Sequence, residues 1–211
     1  MTWFSLPKKQ RGRRLVQLFA GLALYGFSMA LMIEATLGLN PWDVFHQGVA
    51  ERAGWTFGTV TIVVGALVLL LWIPLRQRPG IGTVSNVIVI GIAVDASLWL
   101  VPTPSSLAVR IVFLTVGVVL NGVAGGAYIG ANLGPGPRDG LMTGLVARTG
   151  RSVGLIRTGL ELAVLGVGWL LGGTFGIGTL AYALAIGPLV QIFLPLMTVP
   201  ADEPEPASVE A

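Results

Sequence analysis

No cysteine occurs among the chain's 211 residues. That absence excludes a disulfide framework, a thiolate metal site and a cysteine nucleophile, and it leaves the redox compartment undetermined. Histidine is almost as rare: His46 stands alone, which argues against a histidine-rich metal centre. Charged residues make up only 11% of the chain, against roughly a quarter in a soluble domain. The sequence carries no Ser/His/Asp or metal-ligand pattern. GIGT occurs twice, at 80–83 and 176–179, but without the strand and glycines of a nucleotide loop it reads as a tight turn entering a helix. No enzyme activity, cofactor or metal is therefore expected. The net charge of +3 and pI near 9.8 do not point to nucleic acid, because the basic residues flank apolar stretches instead of forming one patch.

What the chain has is apolar surface. Hydrophobic residues reach 54% and the mean hydropathy is +0.80, the composition of an integral membrane protein. Six stretches are apolar over about the ~20 residues that a helix needs to cross a bilayer. They run from Leu15 to Thr36, Phe57 to Leu75, Ile81 to Pro102, Leu107 to Leu133, Val153 to Gly172 and Ile177 to Val199. The loops after the second, third and fifth are short, which predicts antiparallel hairpins. Lys8, Lys9, Arg11, Arg13 and Arg14 precede the first span, Arg76 and Arg78 follow the second, and Arg138, Arg148 and Arg151 follow the fourth. With the N-terminus inside, all three clusters face the cytoplasm and only Arg52 and Arg110 are left on the outer side. A basic start before an apolar run also resembles a signal peptide; the repeat described next makes the first span part of the fold instead.

The chain is duplicated. Shifted by 96 residues, Leu18 to Asp95 lies over Leu114 to Gln191 without a gap, and 24 of the 78 pairs are identical. LGLNPWD at 37–43 falls on LGPGPRD at 133–139, and PGIGT at 79–83 on FGIGT at 175–179. Three spans per half is an odd number, so the second half is expected to cross the membrane in the opposite sense. The predicted fold is all-α: a polytopic membrane protein of six transmembrane helices arranged as two inverted three-helix repeats, each with an extra short helix after its first span. The expected parts are a basic cytoplasmic N-terminus (1–14), a first repeat (15–102), a second repeat (103–199) and an acidic disordered tail (200–211).

The best matched residues lie between spans. Pro41 and Pro137 suit a first helical turn, with Asn40 or Gly136 as the cap, and Asp43 and Asp139 fall where the helix dipole favours a carboxylate. Gly54 and Gly150 would end these helices, and Thr56 and Ser152 would cap the next spans. Two readings stand for the short helices at 41–53 and 137–149. In one they lie amphipathically at the membrane interface, with Trp42 or Leu141 against lipid or the bundle. In the other they re-enter as half-helices whose broken starts line a cavity and offer N–H groups to a solute. Within the spans, Glu34, Asp95, Asn121, Arg157 and Glu161 are the candidate polar or coupling residues. Arg157 and Glu161 are spaced to pair with each other. Asp95 has no partner nearby in sequence, leaving open a proton-binding role or a hydrogen bond to another helix.

The motifs LGLNPWDVFHQGVAERAGWTFGTV with PGIGT, and GANLGPGPRDGLMTGLVARTG with FGIGTL, resemble the bacterial YczE/YitT group of uncharacterised membrane proteins over about residues 15 to 195. That resemblance implies a small multi-span protein of the bacterial cytoplasmic (inner) membrane and carries over no catalytic residues; the charge bias and six spans put both termini on the cytoplasmic side. Architecture suggests a transporter of a small solute, as a homodimer or with a partner membrane protein. The candidate binding residues are Asn40, Pro41, Asp43, Gly136, Pro137, Arg138 and Asp139, where Arg138 and helix N-termini favour an anionic solute. A channel-like pore of paired half-helices and a non-transporting subunit are the alternatives.

Overall fold

The computed structural model describes residues 10–200; Lys8, Lys9 and the acidic tail from Ala201 onward lie outside the described residues. Eight helices and no strand occur among those described. They are α1 (Arg11–Ala35), α2 (Pro41–Ala53), α3 (Phe57–Leu75), α4 (Ile81–Leu100), α5 (Leu107–Gly130), α6 (Pro137–Thr149), α7 (Val153–Leu170) and α8 (Ile177–Met197). All but α2 and α6 are long and apolar enough to cross a membrane. The fold class expected from the sequence is the one found: an all-helical, multi-span protein.

Local chemistry sets the helix ends. The Asn40 side chain accepts the Asp43 N–H at 3.0 Å and Pro41 opens α2, while Gly54 closes it in the left-handed region at φ 68°. Gly136 has no side chain to cap α6, but Pro137 opens that helix and Gly150, also at φ 68°, ends it. Thr56 and Ser152 cap α3 and α7 by accepting N–H groups three residues on, at 3.1 and 3.3 Å.

The two halves hold each other through reciprocal contacts. Gly82 N–H donates to Leu133 O at 2.8 Å, and 96 residues away Gly178 N–H donates to Leu37 O at 2.7 Å. Each GIGT turn thus holds the chain break that precedes the other half's short helix. Those breaks require glycine: Gly38 and Gly134 sit at φ 116° and 124°, and a Cβ on Gly134 would stand 2.8 Å from Thr83 Oγ1. The same exchange places α2 against α7 and α6 against α3. Arg14 donates to Ala131 O and Arg110 to Ala35 O, both at 3.0 Å, so each arginine satisfies a carbonyl at the end of its counterpart's helix. Arg52 and Arg148 do likewise for Leu171 O and Pro74 O, each at 3.3 Å.

The main core lies where α1 meets α4 and α5, around Leu22, Met29, Ala35, Val94 and Val118. Trp42, Val68, Trp72 and Leu141 form a smaller one. Trp42 and Leu141 are therefore packed inside the protein, against the bundle. Two placements differ from expectation. Arg14, expected in the basic N-terminus, belongs to α1 and is buried, bonded to the end of α5 and to Pro200 O at 2.5 Å. The short loops do not make three packed hairpins: α3 packs on α4, whereas α4 with α5 and α7 with α8 share no extended contact among the described residues.

Candidate functional site

The starts of α2 and α6, far apart in sequence, meet. Arg138 Nη2 lies 3.6 Å from Asp43 Oδ1, and its guanidinium stacks 4.8 Å from the centre of the Trp42 ring. Beside this junction is a cavity of about 440 Å³, lined by Asn40, Pro41, Gly136, Pro137, Arg138 and Asp139. Six of the seven candidate binding residues thus line one cavity. Asp43, the seventh, sits behind it and is fully buried. Both short helices open onto one space, so the positive ends of two helix dipoles converge there, a setting that favours negative charge.

The two aspartates are supported differently. Asp43 Oδ2 accepts the Asn40 amide, while Oδ1 has no hydrogen-bond partner and faces Arg138 and His46 Nδ1, the latter at 3.5 Å. Asp139 Oδ2 stands 3.4 Å from the Tyr128 hydroxyl. Burial raises the Asp139 carboxyl above its usual range, opposed by the positive charge of Arg138 and by a backbone hydrogen bond from Gly136. Burial also lowers the His46 imidazole, against the raising effect of Asp43. A neutral His46 is consistent with its other neighbour, the Thr61 hydroxyl at 3.4 Å from Nδ1.

The polar residues of the spans divide. Asn121 lines the cavity, taking a hydrogen bond from the Tyr182 hydroxyl and donating to Ser28 Oγ, both at 2.9 Å. Arg157 and Glu161 form an ion pair at 3.0 Å on the cavity's more open side. Glu34 is elsewhere, accepting the Thr103 hydroxyl. Asp95 is also outside the cavity: Oδ1 accepts the Gly58 N–H at 2.7 Å and Oδ2 the Thr56 hydroxyl at 2.5 Å. Its partner was invisible in sequence because the bond crosses from α4 to the start of α3.

Sequence reasoning missed the aromatic part of the wall, Tyr25, Trp42, Tyr128 and Tyr182, and also His46. The signal available was that all three tyrosines of the chain fall inside predicted spans. A buried phenol needs a polar partner, so three of them in one bundle mark a polar interior.

Residues 12–195 match a family described as of unknown function, DUF6198. The chain is 37% identical over 179 residues to an uncharacterised protein of Haemophilus influenzae, covering 85% of this chain and 82% of that one. It is also 37% identical over 179 residues to the uncharacterised membrane protein YczE of Bacillus subtilis, covering 84% and 83%. A third relative, the uncharacterised protein YyaS of Bacillus subtilis, is 24% identical over 181 residues. No solved structure matches at a significant level. With nearly all of its helical region inside the family match and six helices able to span a bilayer, the chain belongs to the DUF6198 family of YczE-like membrane proteins.

Proposed function

We propose that the protein is a carrier for a small anionic solute, built from two inverted repeats in a bacterial cytoplasmic membrane with both termini on the cytoplasmic side. The observation that supports this best is the convergence of two half-helix starts, one from each half, on a cavity with Arg138 in its wall. Paired helix interruptions at equivalent positions in two halves are the usual place of a transport site. The reciprocal bonds of Gly82 and Gly178 are what a two-fold relation between oppositely oriented halves would produce. A cavity near 440 Å³ suits a metabolite-sized ligand. Arg138 is held only loosely by Asp43, at 3.6 Å, and so is available to an incoming carboxylate or phosphate.

Detergent-purified protein should show a raised melting temperature with one member of a panel of small carboxylates and phosphates. The same compound should accumulate in liposomes containing the protein, saturably, and Arg138→Gln should abolish both effects. Absence of any thermal shift and of any uptake across the panel would overturn the reading. Uptake without saturation would favour the pore in its place.

A further inference from the structure

The halves are alike in sequence but not in how their last two helices pack. In the first half α3 and α4 meet at Gly58 and Gly91. A Cβ on Gly58 would lie 2.0 Å from Gly91 O, and one on Gly91 would lie 2.7 Å from Gly58 O. Their counterparts 96 residues on are Gly154 in α7 and Gly187 in α8, and a Cβ on either would meet nothing within 4 Å. The surface for close approach is present twice and used once. Where Asp95 holds Gly58 and Thr56, the second half has Gln191 at the position equivalent to Asp95, and Gly154 and Ser152 at those of Gly58 and Thr56, with Gln191 lining the cavity. The cavity is lined across this unused seam by Arg157, Leu160 and Glu161 of α7 and by Ala183, Ile186 and Gly187 of α8, and the Arg157 and Glu161 side chains there are 56% and 37% exposed. Pro188 follows Gly187 inside α8; it removes one backbone hydrogen bond and weakens the helix at the seam.

We infer that the α7–α8 seam is a gate that closes through Gly154 and Gly187 as α3 closes on α4 through Gly58 and Gly91, the first seam parting as the second shuts. The inference deepens the carrier reading and takes its purpose from it: one site is exposed in turn to each side of the membrane. The structure is then the state open at the start of α7, which follows Arg151 and is cytoplasmic in the proposed orientation. An amide at Gln191 can accept the Gly154 N–H when the seam is shut, and being neutral it lets go more readily than a carboxylate would.

A cysteine-free chain allows a direct test that needs no solute. In the closed seam, a Cβ on Gly65 would stand 3.5 Å from Val87 Cβ, within disulfide reach. The counterpart pair is Glu161 and Ala183. The double variant Glu161→Cys/Ala183→Cys in membranes should form an intramolecular disulfide under mild oxidant, as should Gly65→Cys/Val87→Cys. Adding Gly154→Leu, which meets open space in the structure, should keep the melting temperature and slow the 161/183 cross-link severalfold. The gate is refuted if the 65/87 pair links while the 161/183 pair stays reduced, as it would with lipid permanently in the seam. A link formed only between two chains, which would make the seam a dimer interface, refutes it too, as does a rate indifferent to Gly154→Leu. If the cross-link forms as expected but no solute moves in liposomes, the carrier reading fails and the gate stands.

Discussion

Replacing Arg138 by Gln removes the only cation that, among the described residues, faces the buried Asp43 carboxylate apart from His46, which burial keeps neutral. At 3.6 Å and an effective dielectric constant of about 20, the Coulomb term is roughly 4 to 5 kcal/mol. The Arg138 side chain is 32% exposed and the Asp43 side chain 1%, so water screens one partner and the net coupling falls to about 1 to 3 kcal/mol. Asp43 retains the Asn40 amide and its place on the first turn of α2, which cushions the loss further. We expect Arg138→Gln to lower the melting temperature in detergent by about 5 °C, at roughly 2 to 4 °C per kcal/mol for a chain of this size. Asp43→Asn should cost less, because it removes the charge together with its need for a partner. The double variant should fall short of the sum by about 1 to 3 kcal/mol, since the second substitution loses nothing that the first has not already lost. The assay is a double-mutant cycle on thermal unfolding, repeated at high salt, where a buried pair should be little affected. Additivity within about 0.5 kcal/mol would refute the reasoning: the two helix starts would then be neighbours without an electrostatic link.

Asp95→Ala should destabilise the protein by about 2 to 3 kcal/mol and raise hydrogen exchange in the first turn of α3, leaving exchange in α7 unchanged; equal loosening of both helices would sink the capping role. His46 gives a pH signature. Its folded pKa is lowered from 6.5, so below pH 6.5 the unfolded chain binds a proton that the folded chain refuses, and stability is lost as pH falls from there toward the depressed value. His46→Gln should flatten the melting-temperature profile in that window, and parallel profiles for the two proteins would contradict it.

Much of the fold is legible in the chain because a bilayer leaves few choices. Without water to satisfy backbone groups, apolar stretches of span length must be helices, and the expected spans differ from the observed helices by only a few residues at their ends. The short helices were equally readable, since Asn40, Pro41 and Gly54, or Pro137 and Gly150, act on backbone within a turn of themselves. The repeat even carries information that no local pattern holds. Arg14 and Arg110 are 96 residues apart, beyond the stretch where similarity is obvious, and they make the same bond in opposite directions.

The sequence by itself thus determined the class, the helices, the duplication and the two interrupted starts, all of which follow from hydropathy, backbone chemistry and spacing. Tertiary structure alone decided which partners those residues take. It gave Asp95 its hydrogen bonds to the start of the neighbouring helix, brought Asp43 to Arg138, and packed Trp42 and Leu141 inside. It also decided that one pair of glycines is in contact while its copy stands open. The physical reason is that a hydrogen bond or a close approach between helices depends on a few ångströms of relative placement. Two halves with nearly the same sequence can differ in that placement while keeping every local rule they share.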